Sequence, residues 1–212
     1  MKVSVVVATC GGQEWADLAA SWAVPSVEGQ GADEVVVRHY PDCGVAEARN
    51  RAVEEATGDW VIHLDADDQL CDGYVDAMRA AHASVTGDAL FVPALGLCDP
   101  DGVCLTAPRI PDWDRWPDLN CCVIGTMVPR ALLLEVGGFP PDPVFEDYAA
   151  FLAMAARGAR LVPVPDAVYC ATRNPQGRNL APLEVRQATY DAIRARFDMA
   201  AIPRNPPLVT PA

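Results

Sequence analysis

The sequence predicts an α/β domain built on a mostly parallel, twisted sheet with helices on both faces, and three observations predict it. Short β-branched runs alternate with helix-patterned stretches through about residue 92. The first run, Val3 to Ala8, is apolar but for Ser4, as expected of a strand covered on both faces. A group of carboxylates, Asp65, Asp67 and Asp68, follows directly on another such run. Sheets of this kind bind ligands beyond the carboxyl ends of their strands.

The elements follow in order. After the strand Val3 to Ala8, Glu14 to Val24 has helical character and is expected to stop at Pro25. Glu34 to Val37 reads as a second strand. Ala46 to Ala56 reads as a helix, with Glu47/Arg51 and Arg51/Glu55 four apart and Gly58 just past its end. Trp60 to Leu64 is a short apolar strand that stops at Asp65. Asp72 is placed to cap a helix running to about Ala83, and Ala89 to Val92 is a strand ended by Pro93. Pro93 to Pro117, rich in Pro, Gly and Asp, reads as a long surface connection. Regular structure resumes with a strand at Cys121 to Val128 and a short helix at Arg130 to Val136, followed by Gly137-Gly138. A helix at Asp147 to Arg157 comes next, followed by Gly158. The proline in Leu161 to Val164 predicts an edge strand. Leu183 to Phe197 is a last helix, and the proline-rich tail from Ile202 is expected to be extended or disordered. No internal repeat is visible.

Composition narrows the function. With 212 residues, 51% of them hydrophobic and 21% charged, the chain can build one sizeable core. No apolar run approaches the roughly 20 residues that span a bilayer. Val3 to Ala8 is shorter than a secretory apolar region and only Lys2 precedes it, so it reads as a strand rather than a leader. The net charge of −13 argues against general affinity for nucleic acid, which needs clustered cations. The 8 cysteines contain no C-x-x-C pair, so zinc spacing is missing. Cys10, Cys121, Cys122 and Cys170 lie in apolar segments, which predicts reduced, structural thiols and a cytoplasmic protein.

Clustering Asp65, Asp67 and Asp68 costs energy unless a cation sits among them. A hard divalent ion, Mg²⁺ or Mn²⁺, is the natural partner, held by one or two carboxylates and by substrate phosphates. A solvated acidic turn capping the next helix is the plainer alternative. A calcium loop fails because its sixth position, counted from Asp65, is Leu70 rather than Gly. A haloacid-dehalogenase-type phosphohydrolase and a P-loop both need a lysine downstream, and Lys2 is the only lysine in the chain. No G-x-G-x-x-G follows the first strand.

Several weak motifs then occur in a telling order. Val3 to Thr9, Ala48-Arg49-Asn50-Arg51-Ala52, Thr57-Gly58-Asp59 and Leu64-Asp65-Ala66-Asp67-Asp68 resemble the amino-terminal half of family 2 inverting glycosyltransferases of GT-A fold. Pro129-Arg130 through Gly137-Gly138-Phe139, Phe145-Glu146-Asp147 and Gly158 resemble that family's acceptor-side half. The resemblance runs, with gaps, from residue 3 to about 178. It implies a single GT-A-like domain over 1–201, with a nucleotide-sugar half to about 92 and an acceptor half from about 119, and a tail at 202–212. It also implies a metal-dependent enzyme that moves a hexosyl unit from a nucleotide-diphosphate sugar to an acceptor hydroxyl with inversion. The acceptor class stays open between glycan, lipid, protein and modified nucleobase.

By the same resemblance Asp67 is the direct metal ligand. Asp65 contacts the ribose or the metal's water shell, and Asp68 neighbours the donor sugar. Asp147 is the catalytic base, and Glu146 orients the acceptor or bonds a backbone amide. A helix start decorated with acids is the alternative for the Glu146-Asp147 pair. Thr9 stands where the nucleotide base lies. Arg49 reaches base or phosphate, or else is a surface arginine paired with nearby glutamates. Arg173 and Arg178, in a Pro/Gly-containing loop, clamp the diphosphate or are solvated loop charges. The usual acidic run after the second strand is replaced by Arg38-His39-Tyr40-Pro41-Asp42, which leaves Asp42 a weak substitute for base recognition. His63 is expected to be a satisfied core histidine. Trp113 and Trp116 either stack on an acceptor sugar or cover the core. Two other classes stay open: a sugar-phosphate nucleotidyltransferase, of whose Gly-rich loop Cys10-Gly11-Gly12-Gln13 is a faint echo, and a non-catalytic sugar-nucleotide or glycan binder.

Overall fold

A computed structural model describes residues 1–99, 105–173 and 181–206. β1 (Val3–Cys10) is followed by α1 (Gln13–Leu18), β2 (Glu34–Tyr40), α2 (Val45–Glu55), β3 (Trp60–His63) and β4 (Gln69–Leu70). Then come α3 (Tyr74–Ala83), β5 (Ala89–Cys98), β6 (Val128–Pro129), α4 (Arg130–Glu135), α5 (Glu146–Ala156), β7 (Arg160–Thr172) and α6 (Leu183–Arg194). One sheet has the order β2-β1-β3-β6. Its first three strands are parallel, Val5 pairing with Val35 on one side and Ile62 on the other, and β6 is antiparallel. A second sheet, β4-β7-β5, joins it through a bridge between Phe91 and Met127. The buried Val3, Val5, Val6 and Val7 confirm a first strand covered on both faces.

Two of the motifs prove to be joints of this scaffold. In Thr57-Gly58-Asp59, a Cβ on Gly58 would lie 2.5 Å from Ser4 Oγ and 2.8 Å from the Ser4 amide nitrogen, so only glycine lets the chain pass this close to β1. In Pro129-Arg130, the guanidinium of Arg130 donates to the carbonyls of Val53 and Glu54, closing the last turn of α2.

Several expectations are corrected. The first helix does not stop at Pro25: α1 passes into a π-helical turn at Ala19–Ala23 and a 3₁₀ turn at Val24–Val27, with proline at the start of that turn, where no backbone donor is required. Asp72 caps nothing; α3 begins after Gly73 in a left-handed conformation. β5 does not end at Pro93 but continues to Cys98, absorbing the proline in a register shift between Pro93 and Ala94. Cys121 to Val128 is irregular up to Thr126, because its backbone turns under Tyr74 and Tyr169; a Cβ on Gly125 would lie 2.2 Å from the Tyr169 ring. β7 is central rather than an edge. Its Pro163 is tolerated because β4 covers only Tyr169 and Cys170, leaving one side open at the proline.

The cysteines also differ from expectation. Cys98 and Cys170 form a disulfide with Cα atoms 6.1 Å apart, so the expectation of reduced thiols fails at this pair, and with it the argument for a cytoplasmic location. Among the described residues, no helix is long and apolar enough to cross a membrane. At the tail, Ile202 is buried and the Pro206 carbonyl accepts from Trp113 Nε1 at 2.8 Å.

Candidate active site

The turn after β3 is built around one tyrosine. Tyr169 Oη accepts from the Asp65 amide at 3.2 Å and donates to Asp68 Oδ2 at 2.8 Å. The Thr172 amide donates to Asp68 Oδ1 at 2.8 Å. Asp68 is thus a buried clamp on β7. Burial, then the charges of Asp65 and Asp67, push its carboxyl well above the usual carboxylate range. Asp65 and Asp67 are half-buried.

Arg49 occupies the centre. It is buried, not a surface residue, and its guanidinium donates to Asp65 Oδ1 at 2.5 Å and to Glu146 Oε1 at 2.5 Å. Both of these partners are protein carboxylates. Burial alone would lower the guanidinium's pKa, but the charges of Asp65 and Glu146 more than offset this and raise it. The next residue, Asn50, exchanges two hydrogen bonds with the backbone of Phe139, at 2.9 and 2.8 Å. A Cβ on Gly138 would lie 2.3 Å from Asn50 Oδ1, which is why the Gly137-Gly138-Phe139 turn needs its glycine there.

The Glu146-Asp147 pair stands at the start of α5. Phe145 precedes it at φ +64°, a left-handed conformation that costs a bulky residue about 1–2 kcal/mol. The Tyr190 ring, 5.2 Å away, and the Arg186 guanidinium hold Phe145 in place. Asp147 is half-buried and accepts from the Tyr148 amide at 2.7 Å. Burial first, then the charge of Glu146, raise its carboxyl to about 6, against the opposing pull of Arg49. A carboxyl so tuned is ionised at neutral pH yet basic enough to take a proton.

The other expected residues fall as follows. Thr9 is buried, its hydroxyl 2.9 Å from His39 Nδ1. Arg38 and Tyr40 both bond Glu55 of α2, and Asp42 is exposed. Arg173 is exposed just past β7, its amide donating to Cys98 O; Arg178 lies outside the described residues. His63 is buried against the Phe139 ring, 4.9 Å between centroids, but its Nε2 has no hydrogen-bond partner, so it is not a satisfied histidine. Desolvation, then the Arg49 charge, depress its pKa to about 3, so it stays neutral. Trp113 and Trp116 are buried and belong to the core. Tyr169, Asn50 and the Arg49–Glu146 pair carry no local signal in the sequence, since each acts on a residue at least 89 positions away.

Carboxylate oxygens that repel one another suit a hard divalent cation. Among the described residues no group of three or more His, Cys, Asp or Glu side chains converges on a metal position. A cation here would therefore draw on Asp67 and Asp65 alone and complete its shell from substrate and water, the usual habit of Mg²⁺.

Known proteins share parts of this arrangement. Residues 30–105 match the family model Glycosyl transferase family 2. The matched stretch runs from before β2 to beyond β5 and includes Arg49, Asp65, Asp67 and Asp68; Asp147 lies outside it. The fold is GT-A. Residues 1–349 of TarS from S. aureus, in complex with UDP-GlcNAc, superpose with a TM-score of 0.63 at 17% identity, covering 94% of this chain and 69% of that one. GalNAc-T7 with UDP, GalNAc and Mn²⁺ gives 0.58 at 15% identity, covering 84% of this chain and 45% of that one. The chain spans 60% of another TarS 1–349 structure and 41% of a longer TarS structure. No curated protein matches it in sequence.

Proposed function

We propose that this chain transfers a hexosyl unit from a nucleoside-diphosphate sugar to an acceptor hydroxyl, with inversion and with a divalent cation. The observation that carries this reading is the meeting, through Arg49, of Asp65 with the Glu146-Asp147 pair, which lies 81 or more positions away in sequence. The GT-A fold and the family 2 stretch support the donor class.

In this reading Asp147 accepts the proton of the acceptor hydroxyl as the oxygen attacks the anomeric carbon. The bond from that carbon to the diphosphate oxygen breaks, and the nucleoside diphosphate leaves with the electron pair. A single displacement from the face opposite the leaving group gives inversion. Asp67 and Asp65 hold the cation, which when bound offsets the charge on the departing diphosphate. Asp68, fixed by Tyr169 and Thr172, keeps the turn in shape. Arg173, just past the end of β7, approaches the diphosphate in this reading.

The test is a screen of nucleotide sugars, with UDP-GlcNAc first, for Mn²⁺-dependent turnover or hydrolysis followed by mass spectrometry. Release of nucleoside diphosphate, lost on adding a chelator, is the expected result. Pyrophosphate release from a sugar phosphate and a nucleoside triphosphate, or binding with no turnover of any donor, would overturn the reading.

A further inference from the structure

Arg49 has no part in the reaction just described, yet it is the most constrained cation in the site. Its side chain is 5% exposed, and its two terminal nitrogens go to different elements, one to the turn after β3 and the other to the first residue of α5. The Phe139 ring lies beside its guanidinium at 5.7 Å, and its neighbour Asn50 fixes the backbone of that same Phe139. One turn of α2 therefore holds the Asp65 turn, the Gly137-Gly138-Phe139 turn and the start of α5 together. Buried bridges of this sort are a poor source of net stability, because desolvation consumes most of the Coulombic gain. What the forked guanidinium supplies is position: two carboxylates from distant segments held at a fixed separation by one rigid planar group.

We propose that Arg49 is a positioning residue that couples the donor end of the site to the base, so that the Asp65 turn and the Glu146-Asp147 helix start move as one body. This rests on the donor and base assignments above. A diphosphate that orders the Asp65 turn then also orders Asp147 through the guanidinium, before an acceptor arrives. Lysine cannot do this, since its single ammonium head lacks the fork that spans both carboxylates.

The experiment uses two variants, Arg49→Lys and Glu146→Gln. The second keeps the side chain's shape and an acceptor for Arg49, and leaves Asp65 paired, so it serves where the first fails to fold. Amide hydrogen exchange of the ligand-free protein is followed at Asp65 and Asp68 and in the first turn of α5. Coupling predicts that Glu146→Gln speeds exchange at both places, about fivefold or more at Asp65 and Asp68. Faster exchange confined to α5 overturns the proposal, whether or not any nucleotide binds. UDP with Mn²⁺ is then titrated into both proteins. Binding to the wild type with affinity about fivefold weaker in Glu146→Gln supports coupling, and unchanged affinity contradicts it. If the wild type itself does not bind, the donor assignment falls, and the exchange data alone decide whether the two segments are mechanically joined.

Discussion

The two ends of this site handle negative charge in opposite ways. In the turn after β3, Asp65, Asp67 and Asp68 crowd together, with Arg49 donating to Asp65 and Tyr169 and Thr172 donating to Asp68. At the start of α5, Asp147 is half-buried, accepts from the Tyr148 amide, and its carboxyl is pushed up to about 6. In the proposed reading the first arrangement collects negative charge for a cation and the second makes one carboxylate basic. The lesson is that environment, not residue type, separates the roles of two sets of aspartates.

The sharpest way to break that comparison is Asp147→Asn. On the present account kcat falls by about 10²–10⁴ while UDP and Mn²⁺ bind as before, measured by steady-state turnover and calorimetry. Asp67→Asn should do the reverse, weakening metal-dependent nucleotide binding by about tenfold or more with the fold intact. If both variants lose binding equally, the two ends are not distinct.

The pH dependence sharpens the same point. Asp147 must be ionised to act, so kcat should fall about tenfold per pH unit below about 6. Its effect on stability has the opposite sense. The folded-state value near 6 lies above the ordinary 3.8, so folding is favoured by this group below about pH 4, and that contribution is lost as pH rises through 6. Asp147→Asn should therefore stabilise the protein by about 1–2 kcal/mol at pH 8, allowing for its partial exposure, and by nothing at pH 3.5, as read by thermal or urea unfolding. Gain of stability with loss of turnover is the mark of a functional residue. Tyr169→Phe should cost about 1–3 kcal/mol, because it leaves the buried Asp68 oxygen without its hydroxyl donor.

The two ends also differ in how legible they were. Between Val3 and Val92 the strands and helices follow local periodicity, and β1, α2 and β3 lie within about two residues of where the pattern places them. The group of aspartates after β3 is visible for the same reason, as a break in an apolar run. Beyond residue 119 the determinants are tertiary. β7 crosses two prolines because its neighbour β4 is short, and the stretch before β6 gives up strand pairing to pack Gly125 under Tyr169. The Cys98–Cys170 disulfide joins residues 72 positions apart with no spacing motif to announce it. Arg49 was visible as a candidate but not its commitment, since a helix-borne arginine looks the same in sequence whether it meets solvent or two buried carboxylates.

The most direct measurement is a crystal structure with Mn²⁺ and a nucleoside-diphosphate sugar. The account predicts the metal on Asp67 with the diphosphate beside it, the Arg49 fork still joined to Asp65 and Glu146, and the anomeric carbon facing Asp147. A nucleotide bound elsewhere, or one bound here with Asp147 turned away from the sugar, would contradict it.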